Sequence, residues 1–154
     1  TLEEAQDFLN GETLVPYFHS FLLTSTLLCE TFRLEESIRI KDSMRIAELR
    51  KKVPGTARKA VKICRKVAYE RVETYRLIGI YHWICGNQKK GVKWWEKALQ
   101  ESDRLGAGVE RAMTLVEVAS RFSQQNSRYR EIDHMTIDGM KEEAQRIYNR
   151  VDKR

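Results

Sequence analysis

The stretch from Tyr75 to Leu99, YRLIGIYHWICGNQKKGVKWWEKAL, constrains this chain more than any other. Tyr75, Ile78, Gly79 and His82 fall at i, i+3, i+4 and i+7, which is one face of a helix. Gly86 then offers a stop, because a left-handed residue there costs glycine nothing. Asn87 is suited to cap the next helix. Gly91, Trp95, Ala98 and Leu99 again share one helical face. Each mid-helix glycine costs about 1 kcal/mol against alanine, and close approach of two helices is the usual compensation. The spacing therefore predicts two amphipathic helices joined by a tight turn at Gly86-Asn87.

The rest of the chain reads helically as well. Leu2 to Leu9 predicts a short helix, stopped at Asn10-Gly11. Pro16 fits the first turn of the next helix, which runs to about Phe32 with Phe18, Phe21, Leu22, Leu28, Cys29 and Phe32 near one face. After a break, Leu34 to Val53 continues helically, and Pro54-Gly55 makes a turn. Thr56 opens a further helix whose inner face is Ala57, Ala60, Val61, Cys64, Val67 and Ala68. The central pair follows at Val72 to Cys85 and Gln88 to Arg104. Leu105 to Gly108 breaks the chain before a helix from Val109 to Phe122. Arg128 to His134 reads as a short helical turn, and Asp138 as the cap of a last helix with a stripe of Met140, Ala144, Ile147, Tyr148 and Val151. No strand pattern is visible. Short connections make neighbouring helices antiparallel, so the expected class is all-α, built from antiparallel helix-turn-helix units.

Composition bounds the function. The 154 residues suffice for one domain with a sizeable core. Hydrophobic content of 42% and charged content of 32% mark a globular chain rather than a disordered one. Cys29, Cys64 and Cys85 form no CxxC pair and sit in apolar helical contexts, which suits core thiols in a reducing, cytoplasmic setting. No signal or transit peptide is visible. The apolar run from Phe18 to Cys29 is interrupted by His19, Ser20, Thr24, Ser25 and Thr26, and a bilayer span needs ~20 apolar residues. The chain opens on Thr1 without Met, so a fragment of a larger protein is expected. The net charge of +6 allows an acidic partner without demanding one.

The central pair resembles the tetratricopeptide repeat (TPR). Tyr75, Ile78, Gly79, His82, Gly86, Gly91, Trp95 and Ala98 fall on that family's positions. His82 stands where an aromatic is usual, Gly91 where alanine is usual, and Asp103 where a late proline is usual. At the family period of ~34 residues, Gly91, Trp95 and Ala98 map back to Ala57, Val61 and Cys64, with Arg45 in the place of the first-helix glycine. The first-helix positions map forward to Val109, Ala112, Met113 and Val116. The resemblance implies a TPR-like α-solenoid with a repeat core over 34–134, N-terminal helices over 1–33 and a capping helix over 137–151. The segments Lys93 to Ala112 and Ile137 to Val151 are also similar to the C-terminal helical-repeat region of bacterial STAND-type signalling ATPases, some of them linked to adenylate-cyclase or kinase domains. That similarity implies a regulatory module within a larger signalling protein. No GxxxxGK[ST] loop occurs in this chain.

A search for chemistry returns little. His19, His82 and His134 are scattered and no HExxH occurs. Asp133, His134 and Asp138 are the nearest approach to a ligand set, and they read better as a loop surface. Cys64 has Arg65 and Lys66 beside it, but a reactive thiol needs an exposed electropositive site, so a core thiol is the better reading. Glu35-Glu36 and Glu142-Glu143 are sequence neighbours, which do not face each other on a helix. No enzyme, cofactor or metal is expected.

By the resemblance, first helices of each repeat line a concave groove. Arg39 and Asp42, then Arg76, Ile80 and Trp83, then Glu110 and Glu117 would face a peptide or helix there, since arginine and aromatics dominate hot spots. Trp83 reads equally well as packing between repeats. Lys51, Arg58, Lys62, Arg65 and Lys66 line one side of a helix, with Lys59 nearby. Such a stripe could meet nucleic acid or anionic lipid, although no aromatic interleaves with it and a solvated face is favoured. The expected function is a non-catalytic scaffold binding a protein partner, other domains of its own chain, or a second copy through exposed repeat ends. Nucleic-acid binding by the basic helix over 51–66 is the alternative.

Overall fold

The structure, a computed structural model, describes residues 1–3 and 16–153. These form two compact units, Thr1–Glu70 and Arg71–Arg154. The described residues are helical except for one small ribbon and the connections, so the all-α class holds.

The first unit is a helical hairpin. Helix α1 (Pro16–Arg39) turns at Lys41, whose φ is 59°, into helix α2 (Ser43–Cys64), and a 3-10 turn follows at Ala68–Glu70. Asp42 caps α2, its Oδ1 accepting from the Arg45 amide at 3.2 Å. Two expectations are corrected here. The break expected just after Phe32 falls instead at Ile40 to Asp42, because α1 continues through Leu34 and Ser37, both buried. The turn expected at Pro54-Gly55, with a new helix from Thr56, is absent: α2 runs through both residues. Proline there removes a hydrogen bond to the Arg50 carbonyl, but Arg50 lies on the solvent side, while Val53 and Ala60 on either flank are fully buried. Burial on both sides holds the helix together across the defect. The helix expected over Leu2 to Leu9 lies almost wholly outside the described residues.

The hairpin packs through a row of small and aliphatic side chains. The buried row of α1 is Ser20, Leu23, Thr24, Leu27, Thr31, Leu34 and Ser37. It packs on α2, whose buried row is Leu49, Val53, Ala60 and Cys64. Phe18, Phe21, Leu28, Cys29 and Phe32 point the other way and are exposed. The inward row is slim, and two of its hydroxyls are served by their own helix. Thr24 Oγ1 donates to the Ser20 carbonyl at 2.9 Å, and Ser37 Oγ to the Arg33 carbonyl at 2.7 Å. Such back-bonding lets a hydroxyl be buried cheaply, and small side chains let two helices approach where aromatic rings would hold them apart.

The second unit contains the expected central pair, helices α3 (Arg71–Ile84) and α4 (Gln88–Leu105). Gly86 turns at a φ of 85°, and Asn87 caps α4 by accepting from the Lys90 amide. The two mid-helix glycines mark the crossing. A Cβ on Gly79 would sit 2.4 Å from the Trp95 ring, and one on Gly91 would sit 2.9 Å from the Gly79 carbonyl oxygen. Helix α5 (Gly108–Phe122) follows, and helix α6 (Ile137–Asp152) packs on it.

Between α5 and α6 the expected helical turn at Arg128 to His134 is replaced by an antiparallel ribbon. Strand β1 (Glu131–Ile132) pairs with β2 (Met135–Thr136), Glu131 opposite Thr136 and Ile132 opposite Met135. Asp133 and His134 connect them with φ of 50° and 61°, the doubly left-handed geometry of a two-residue hairpin turn. Strands of two residues carry no readable alternation, which is why the sequence did not show them. The cap of α6 is Thr136, not Asp138: its Oγ1 accepts from the Gly139 amide at 3.1 Å. Asp138 sits in the first turn, where a carboxylate suits the helix dipole.

Candidate interaction surfaces

The residues expected to line a groove fall in both units, and each does local work. In the first unit, Arg39 pairs with Glu36, and Asp42 is the α2 cap just described. In the second, Arg76 is bound to Glu73 at 2.7 Å and is largely buried. Ile80 and Trp83 are 7% and 4% exposed, so neither offers a face to a ligand. Glu117 accepts from Arg121 at 3.0 Å, and the Glu110 carbonyl accepts from Thr114 Oγ1. Of the two readings of Trp83, packing is the one its surroundings carry.

Trp83 belongs to an aromatic cluster. Its ring centroid lies 5.3 Å from that of Trp95 and 5.7 Å from that of Phe122, and Tyr129 stacks on Phe122 at 6.0 Å. Offset aromatic pairs at such distances add to their area burial. Both indoles also place their N–H: Trp83 Nε1 donates to Gln124 Oε1, and Trp95 Nε1 to the Arg76 carbonyl, each at 3.2 Å. Tyr75 meets Trp94 at 5.5 Å, and the Lys97 ammonium lies 4.4 Å above the Trp94 ring. Tyr75, Gly79, Gly91, Trp95 and Ala98 thus form one packed crossing, closed at its turn by Gly86.

Five arginines of the second unit, Arg71, Arg76, Arg104, Arg111 and Arg121, are held by carboxylates. Arg111 is a hub: its guanidinium lies 3.1 Å from Asp103, 3.2 Å from Glu143 and 3.9 Å from Asp133, joining α4, α5, α6 and the ribbon turn. Glu101 is shared by Arg104 and Arg71, and these guanidiniums hold its carboxyl down at about 2. Burial, and then the nearby Lys90, keep His82 below the ordinary imidazole value.

The basic stripe stands in contrast. Helix α2 carries seven Lys or Arg against one Glu. Lys51, Arg58, Lys62, Arg65 and Lys66 are all exposed, as is Lys59. Because α2 is continuous, Lys51, Arg58 and Lys62 share one helical line opposite the buried row, and Arg65 and Lys66 extend it past the helix end. Among the described residues, Lys51, Arg58, Lys59, Lys62 and Lys66 make no ion pair.

A third surface lies on α1. Tyr17, Phe18, Phe21, Leu28 and Phe32 of α1 are between 46% and 69% exposed. Cys29 lies among them, so it is an exposed thiol rather than a core one, whereas Cys64 is buried as expected. The signal was present: α1 is apolar on both faces, and a helix apolar all round needs a second partner.

A depression of about 360 Å³ is lined by Glu96, Gln100, Asp133 and His134. Among the described residues no group of three or more His, Cys, Asp or Glu is placed to hold a metal, and no helix is long and apolar enough to cross a membrane. Comparison with protein-family models, with curated proteins and with solved structures finds no match.

Proposed function

We propose that this chain is a non-catalytic protein-interaction module, regulatory within a larger protein, and that α1 is its contact face. The observation that carries this is the exposed row Tyr17, Phe18, Phe21, Leu28 and Phe32. Contiguous apolar surface of this kind marks interaction sites, and aromatic side chains dominate binding hot spots. The contact is therefore placed on the α1 face rather than in a groove through Trp83. The TPR-like reading of the chain is supported by the α3–α4 crossing, where Gly79, Gly91 and Trp95 interlock. The test is capture of partners by the purified chain and by a Phe21→Glu/Phe32→Glu variant, with and without nuclease. The reading expects nuclease-resistant capture, of a second copy or another protein, that the variant loses while its helical circular dichroism is unchanged. Equal capture by both proteins would remove it.

The bare cations of α2 favour a second reading, binding of a nucleic acid along α2. Five phosphate contacts would give affinity that falls with salt with a log–log slope near −4.5 on duplex DNA. Lys62→Glu with Arg65→Glu should abolish it. Binding indifferent to salt would exclude this reading.

A further inference from the structure

We infer that the occupant of the α1 face is a second copy of the chain, paired antiparallel about a two-fold axis at Ser25; this rests on the reading of α1 as the contact face. Positions 18, 21, 25, 28 and 32 recur at steps of three and four, the seam of a helix that pairs with another helix. They lie on the side of α1 opposite its contact with α2. From Pro16 to Cys29 there is no Asp, Glu, Lys or Arg, so the seam offers nothing to a charged polymer.

The stripe is close to its own mirror about Ser25. An antiparallel partner sets Phe18 against Phe32, Phe21 against Leu28 and Cys29, and the small Ser25 against itself. A C2 contact of this kind is isologous, with one patch serving both copies. Charge selects the direction. Every charged residue of α1 lies in its last ten positions: Glu30, Arg33, Glu35, Glu36 and Arg39. A parallel pair would bring the Glu35-Glu36 step against its twin, whereas an antiparallel pair sends the two steps to opposite ends. Area is sufficient. With about half or more of each large side chain open, the row Tyr17, Phe18, Phe21, Leu28 and Phe32 offers roughly 500 Å² per copy, so the pair reaches the ~1,000 Å² of a specific interface.

The experiment is sedimentation or light scattering of the full chain across a concentration range, with the Phe21→Glu/Phe32→Glu variant beside it. The expected result is a mass that doubles with concentration in the wild type and a dissociation constant raised at least 100-fold in the variant. Mild oxidation checks the axis. Ser25→Cys in a Cys29→Ser background should link two chains, because disulfide formation needs Cα atoms within about 7 Å. Cys29 in the wild type should not link, since the two-fold sets it about 12 Å along the axis from its twin. Linking through Cys29 with none through Ser25→Cys overturns the antiparallel pairing. A monomer at every concentration, or a dimer indifferent to the variant, overturns the inference. If that monomer still captures another protein through Phe21 and Phe32, the interaction reading survives without the dimer. If it does not, both fall.

Discussion

Trp83, Trp95 and Phe122 are buried in the second unit, whereas Phe18, Phe21 and Phe32 of the first lie open. Both units hide one face of a long helix, but with different partners. In the second unit α3, α4 and α5 bring the rings together with Tyr129, and two glycines make room for an indole at the crossing. In the first, α1 meets α2 through leucines, serines and threonines, and the large rings are left on the far side. The charges divide in the same way. Arg71, Arg76, Arg104, Arg111 and Arg121 of the second unit are held by Glu73, Glu101, Glu117 and the acids around Arg111, while among the described residues Lys51, Arg58, Lys59, Lys62 and Lys66 of the first have no counter-ion. The difference teaches that burial follows the space a crossing leaves, and that the hairpin leaves large rings and a row of cations exposed.

The comparison breaks first at Trp95. Trp95→Ala should cost about 3–5 kcal/mol, since it empties the centre of the aromatic cluster. Urea unfolding measures the loss. Amide exchange should place it in α3 to α6 and leave α1 and α2 protected; equal loss in both units would mean that they are not separate. Gly79→Ala should cost about 1–3 kcal/mol in the same assay, because its Cβ meets the Trp95 ring and the helices must shift. An alanine there that stabilises would show that the crossing is looser than the structure has it.

Acid sharpens the contrast in charge. Glu101 sits at about 2 against an ordinary value of 4.5. A lowered carboxyl contributes stability that is full above about 4.5 and is lost as pH falls toward 2. The term should amount to about 1–2 kcal/mol, less than the whole shift implies because Arg104 is open to solvent. Between pH 6 and pH 3 the wild type should therefore lose roughly half to two thirds of that, about 1 kcal/mol, more than Glu101→Gln, and the remainder only nearer pH 2. The smallest effect belongs to the first unit: Phe32→Ser, at a side chain 69% exposed, should move thermal stability in dilute solution by less than about 0.5 kcal/mol. A larger loss in dilute solution would place Phe32 in the fold rather than at a contact.

Local chemistry determined the all-α class, the central pair, the turn at Gly86, the Asn87 cap and the tight approach at Gly79 and Gly91. Each follows from helical spacing, backbone freedom or one side chain reaching a nearby amide, and none needs a distant residue. Distant residues decided the rest. Pro54 reads locally as a breaker, yet Val53 and Ala60 are buried on either side of it, and their burial carries the helix through. Asp133 and His134 turn a ribbon whose strands are too short to show a period. Among the candidate interaction residues, the exposure of Arg58, Lys62, Arg65 and Lys66 was legible because it follows from one helical stretch, whereas the alignment of Lys51 with them needed the helix to run on through Pro54. The burial of Ile80 and Trp83 was not, because it depends on what packs on α3. Helix α1 shows the reason most plainly. Its two apolar faces are both at helical spacing, so local order could not rank them, and only the slim seam that α2 presents decided which one turned inward.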